Sequence, residues 1–325
     1  MGRHAAGEAP DIDRIVEDAM AGVGAEIEAL KIPHLAGIVL GGGYGRGEGG
    51  VKNGGLSNDL DFFAIADENA SEGDLDPIRA ALEPVSERWT KRLGVDVDFC
   101  VRTPWRIRHD QERLMIQELV HGYFDVSGIR GEALFKNVER RAPNAFPWME
   151  AARLMMNRGV GLLLAYEKMG NGAWGTGNEE GGRKKDFIVR NINKCILGIG
   201  DAMLIARGEY AWKVVNRAAA LKNPLYKAAM EWKFRPKADA VCTWDDARKA
   251  WLDAESEIYE AGRRIGAMKR TIYQAARWIV RRRTIGDIRT FGQDCVVRVL
   301  RRIERSISSR TPLNESLRKD WQMFN

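Results

Sequence analysis

Histidine and cysteine are scarce in this chain, with four of each in 325 residues, and neither clusters. Cys100, Cys195, Cys242 and Cys295 stand far apart, with no C-x-x-C pair and no Cys/His group. That spacing argues against a zinc site or a disulfide framework and leaves buried, reduced thiols as the expectation. His4, His34, His109 and His121 are equally scattered, and only His121 follows a helix that could bring it to the glycine-rich stretch described below. Long apolar runs are missing too. No run of about 18 apolar residues occurs, so no membrane span is expected. The first ten residues carry Arg3 and His4 without an apolar core segment, so no secretory signal is expected either, and a cytoplasmic protein is.

Charge is abundant and uneven. Residues 1–100 hold 19 acidic and 9 basic side chains, a balance of −10, so the remainder of the chain carries 42 basic against 26 acidic, or +16. An acidic part and a basic part suit a protein whose carboxylates hold cations while a basic wall draws in an anionic partner. The length suggests two domains, because single cores usually stop growing before about 300 residues.

The most informative stretch begins at the apolar run Gly37-Ile38-Val39-Leu40, which feeds a turn with glycine at 41, 42, 43, 45, 47, 49 and 50. A buried strand entering a tight backbone curve reads this way, since glycine permits positive φ and lets amide N–H groups approach a ligand such as phosphate. Asp59 and Asp61 follow, on one side of a strand continued by Phe62-Phe63-Ala64-Ile65-Ala66. Two carboxylates on one face repel each other unless a cation sits between them. Oxygen donors without nearby His or Cys favour Mg²⁺ or Mn²⁺ over zinc. A third acidic strand, Gly94 to Val101, places Asp96 and Asp98 on one face and its valines and Phe99 on the other. Taken singly, each part has a plainer reading: a turn cap, a solvated strand face, a hairpin loop. The joint arrangement is what points to a site.

In order, these three parts resemble the DNA polymerase beta-like nucleotidyltransferases, including minimal and aminoglycoside-modifying members. Their signature is a G-[SG]-x-[AG]-R-G turn, a D-x-D strand start and a third carboxylate on a neighbouring strand. Gly42-Gly43-Tyr44-Gly45-Arg46-Gly47 matches the turn, Asp59-Leu60-Asp61 the pair, and Asp98 or Asp96 the third carboxylate, with Asp98 preferred for its more central place in the strand. The match covers roughly residues 36 to 101 and departs from the pattern in two ways. Gly43 replaces the commoner serine, and the spacer to Asp59 is long.

The resemblance implies an α+β fold: a small mixed sheet flanked by helices over 1–145, then a mainly α-helical domain over 146–325 that binds substrate or nucleotide and carries basic helices near its end. It implies a transferase that moves a nucleoside monophosphate from ATP or another NTP to a hydroxyl of an acceptor, releasing pyrophosphate. Asp59, Asp61 and Asp98 would ligate two Mg²⁺ (or Mn²⁺) ions, with Asp96 as the alternative third carboxylate. Gly42, Gly43 and Gly47 would cradle phosphates, and Arg46 would either grip phosphate or pin Glu48 or the loop. Lys194, from the helical domain, is the candidate to reach the triphosphate. The acceptor is a small molecule, an RNA end or a protein, with the basic half tilting toward an anionic one. Two other readings stand beside this: a catalytically silent nucleotide- or RNA-binding module, and a toxin-type modifier of protein or tRNA.

Along the chain, Asp11 to Leu30 reads as an amphipathic helix capped by Asp11, and Asp76-Pro77 opens another closed by Gly94. From Pro104 the rest reads as helix, with His121 to Gly131 a glycine-containing connection crossing back over the site. Residues 147–166, 183–205, 209–221, 225–235 and 244–283 read as helices, and Arg190, Lys194 and Asp201 share a face of the second of them. Residues 170–182 form a glycine-rich loop, read as a connector or as a lid bearing Trp174. Residues 261–310 hold 14 basic and 3 acidic side chains, read either as helices with solvated or internally paired arginines or as an RNA-binding face.

Overall fold

The computed structural model describes residues 2–7, 9–170, 179–264 and 293–322. They fall into two compact units. The first comprises Met1–Ala142 with two short returning segments, Trp212–Val214 and Lys233–Pro236. The second comprises Pro143–Ala211, Val215–Trp232 and Lys237–Asn325.

The first unit is a four-stranded sheet between two helical layers. Its strands are β1 (Leu35–Leu40), β4 (Leu60–Ala66), β5 (Val97–Arg102) and β6 (Phe124–Gly128), in the order β5-β4-β1-β6. β1 runs antiparallel to both neighbours, whereas β4 and β5 are parallel. A two-stranded ribbon, β2 (Val51–Lys52) and β3 (Gly55–Leu56), turns at Asn53-Gly54, whose φ of 53° and 76° suit a tight hairpin.

Alternation along the strands divides the core. Ile38, Leu40, Phe62, Ala64 and Val97 face helices α1 (Pro10–Leu30) and α3 (Leu75–Leu93), which contribute Val16, Val23, Ile78, Leu82 and Trp89. Val39, Phe63 and Ile65 face the other layer, with Ile107 of α4 (Pro104–His109) and Ile116, Leu119 and Val120 of α5 (Leu114–His121). Each such side chain, fully buried, contributes roughly 1.5–3 kcal/mol.

Three local expectations change. α1 starts at Pro10 with Ala9 before it, so Asp11 is no cap; Asp13 instead accepts from the backbone N–H groups of Arg3, His4 and Ala5 at 2.7, 2.8 and 3.1 Å. The segment after His121 is not merely a connection, because it contains β6. Phe124 and Val126 pack toward the α1 layer while Asp125 and Ser127 alternate with them, a period-two signal only five residues long. The remainder after Pro104 is therefore not all helix. Gly94 does close α3, in the left-handed region at φ 71°.

The second unit is helical: α7 (Trp148–Met169), α8 (Glu179–Arg207), α9 (Val214–Leu221, starting in the first unit), α10 (Pro224–Phe234), α11 (Trp244–Arg264), α12 (Gln293–Ser309) and α13 (Glu315–Gln322), after a short α6 (Gly131–Leu134) in the first unit. Trp244 and Trp251 of α11, seven residues apart, donate their indole N–H groups to the carbonyls of Leu162 and Met155, also seven apart on α7. That reciprocal spacing holds α11 antiparallel to α7. The Arg217 guanidinium is buried and bonded to Tyr210, Tyr226 and the Ala211 carbonyl, with Asp201 at 2.8 Å. Asp201 is thus part of a closed internal network. Among the described residues no helix is long and apolar enough to cross a membrane.

Candidate functional site

The glycine stretch folds into one helical turn followed by a tight return. β1 delivers Gly41, and Gly42–Gly45 form α2, with the Gly45 N–H donating to the Gly41 carbonyl at 2.8 Å. Gly42 sits at φ 62°, and a Cβ there would collide with the Asp61 carboxylate. Glycine is therefore required, and its absence of side chain is what brings the turn against Asp61. A Cβ at Gly43, by contrast, would meet nothing closer than the Glu48 carbonyl at 3.7 Å.

Two residues that sequence reasoning passed over hold the return of the turn. Tyr44 is fully buried, and its hydroxyl donates to the Gly50 carbonyl at 2.7 Å while accepting from the Ser57 N–H at 3.1 Å. Asn58 adds a side-chain acceptor for the Gly50 N–H at 2.6 Å. Glu48, also buried, gathers two cations, Arg46 at 3.7 Å and Lys233 at 3.3 Å, and accepts from the Val214 N–H at 2.7 Å. Arg46 is further paired with Glu118 at 3.3 Å. Of its two proposed roles, the ion pairs match the pinning of Glu48 and the loop. The Lys213 ammonium donates to the Arg46 carbonyl.

The carboxylates line one end of the same sheet. Asp59 directly precedes β4 and Asp61 lies in it, on the face of Phe63. Parallel pairing sets Asp61 in register with Asp98 of β5, so both project to one face. Asp96 precedes β5, and its carbonyl accepts from the Leu60 N–H at 2.9 Å. Partial loss of hydration, reinforced by the negative charges of Asp59 and Asp96, holds the Asp98 carboxyl above its ordinary range. Burial is the larger cause, and the neighbouring carboxylates add a field of the kind a cation relieves. Among the described residues no three His, Cys, Asp or Glu side chains are drawn together as a ready-made metal cage.

Lys194 is on the exposed face of α8 in the second unit; Arg190, one turn before it, pairs with Asp186 at 2.6 Å. His121 stacks on Trp212, ring centroids 4.2 Å apart, and one ring nitrogen lies 3.1 Å from the Arg141 carbonyl. Desolvation lowers its pKa. Gly47 is at φ 68° near Lys213. In the basic segment, Arg301 faces Glu255, Arg302 faces Asp320 and Arg310 faces Asp245, all intramolecular pairs. Trp174 and residues 265–292 lie outside the described residues. No single signal in the sequence marks Lys213 or Lys233, because each is brought to the turn from more than 160 residues away.

No protein-family model, curated protein or solved structure matches the chain.

Proposed function

We propose that the chain is a Mg²⁺-dependent nucleotidyltransferase of the cytoplasm, with its site at the acidic end of the β4–β5 pair. The observation that carries this reading is the in-register placement of Asp61 and Asp98 beside a glycine turn that abuts Asp61. Asp59 is near enough to perturb Asp98. Carboxylate oxygens without nitrogen or sulfur ligands suit a hard cation, and the crowding on Asp98 is the charge such an ion would offset. Bound there, Mg²⁺ would supply charge neutralisation for the NTP and acidify the acceptor hydroxyl.

The chain's own residues divide the remaining work. Backbone amides of Gly42 and Gly43 offer phosphate donors that need no reorientation, whereas the Gly47 N–H already donates to the Tyr44 carbonyl at 3.3 Å. Arg46, tied to Glu48 and Glu118, shapes the turn. The Lys213 ammonium, which donates to the Arg46 carbonyl, is a cation at that turn. Asp98 is preferred to Asp96 as the third carboxylate because it lies in register with Asp61. The acceptor is a hydroxyl of a small molecule, an RNA end or a protein. The internal pairing of Arg301, Arg302 and Arg310 removes part of the argument for a strongly anionic one.

Incubation of the pure protein with each α-³²P-labelled NTP, Mg²⁺ and fractionated cell extract tests the reading. Label transferred by the wild type and lost in Asp59→Asn is expected, and the labelled fraction names the acceptor class. A silent nucleotide- or RNA-binding module is the second reading, favoured by the engagement of Arg46 with Glu48 and Glu118. Mg²⁺-dependent NTP binding without label in any fraction would select it.

A further inference from the structure

We infer that residues 2–7 form a proton-sensitive latch that sets the position of the glycine turn, with His4 as its trigger. The segment lies along the return of the turn: Ala5 forms a parallel bridge with Gly49, the Gly49 N–H donates to the His4 carbonyl at 3.0 Å, and the Ala6 N–H donates to the Gly49 carbonyl at 2.9 Å. From the other side Asp13 accepts the N–H groups of Arg3, His4 and Ala5. Ala5 belongs to the main core of the first unit. The segment is therefore tied to α1 through the Asp13 carboxylate, to the core through Ala5 and to the turn through backbone hydrogen bonds.

His4 is the weak point in this fastening. Its ring is fully buried, 4.3 Å from the Phe124 ring, and among the described residues neither ring nitrogen completes a hydrogen bond, although the Tyr44 backbone lies close enough to favour the protonated form. The charged and polar groups around it, among the described residues, are Asp13 and Glu17 from α1, Arg3 from its own segment and the Tyr44 backbone from α2. Glu17 stands 3.9 Å from Nε2, and Arg3 already pairs with it at 2.7 Å. A neutral imidazole is the cheaper form in such a place, since an imidazolium adds a charge that needs two acceptors and water. Burial accordingly lowers the His4 pKa below 6.5.

The sign follows from linkage. A group that is harder to protonate when folded favours the closed latch at high pH, and that advantage is lost as pH falls below the ordinary imidazole value. Asp13 acts in a different window. Burial pushes its carboxyl up, but the three backbone N–H groups outweigh this and hold it below 3.8, so it stays ionised while His4 titrates.

Native hydrogen exchange tests the latch and does not depend on what the site binds. With an open-state pKa near 6.5, the opening constant should rise by up to about thirtyfold between about pH 7.5 and about pH 5, after correction for intrinsic exchange. The rise is expected at the Ala6 and Gly49 amides and not at Val39 or Phe63 in the sheet. His4→Phe, which keeps an aromatic ring and cannot titrate, should abolish it. The same rise in His4→Phe, or none in the wild type, would overturn the inference. If His4→Phe does not fold, the wild type decides alone: selective loss at Ala6 and Gly49 supports the latch, and uniform loss across the unit refutes it.

Discussion

Tyr44→Phe isolates the hydroxyl that staples the return of the glycine turn. The ring stays, so the packing against Gly49 is conserved and little cavity is created. What is lost is a donor to the Gly50 carbonyl at 2.7 Å and an acceptor for the Ser57 N–H at 3.1 Å, both in a side chain with no exposure. A buried partner left unsatisfied costs roughly 1–3 kcal/mol, so two of them amount to about 2–6 kcal/mol of local stability. At about 1.4 kcal/mol per tenfold, amide exchange at Gly49, Gly50 and Ser57 should quicken by about thirtyfold or more. The effect should be confined to the turn and the β2–β3 ribbon, with β1 and β4 amides unchanged. Exchange within about threefold of wild type at Ser57 would refute the reasoning, since two unpaired buried groups cannot cost so little.

Gly43→Ser should fold normally, as a Cβ there meets only ordinary contacts, whereas Gly42→Ser should lose substantial stability through its positive φ and its collision with Asp61; thermal unfolding of the pair separates them. If the nucleotidyltransferase reading holds, Gly43→Ser also tightens Mg²⁺-NTP binding, measured by calorimetry, because it restores a phosphate-facing hydroxyl. Asp98→Asn should raise the unfolding temperature at neutral pH. The folded-state pKa of Asp98 is raised, so its ionised form opposes folding above the ordinary carboxylate value, and the gain should vanish as pH falls below it. Cys195, fully buried with its thiol pushed up to about 12, should resist a thiol reagent in the folded protein at about pH 8 and react on unfolding, followed by peptide mass spectrometry.

Local pattern was enough to find the glycine turn and the strands that carry Asp61 and Asp98, because each depends on residues within a few positions of one another, whereas Asp59 and Asp96, expected on those strands, lie just ahead of them. The apolar stripes of α1 and α3 were legible for the same reason, and Gly94 marked the end of α3 through its left-handed backbone. β6 was not, since five residues of half-exposed alternation carry little signal until β1 supplies hydrogen-bond partners. The choice of Asp98 beside Asp61 rests on parallel register, which no single strand encodes.

The surroundings of the turn were decided by tertiary structure alone. Glu48 meets Val214 and Lys233 across 166 and 185 residues of chain, and Tyr44 and His4 act through buried contacts that have no periodicity. Sequence spacing registers what is close along the backbone. A buried carboxylate has to collect its donors from wherever folding brings them, and the chain reveals those partners only once it has closed on itself.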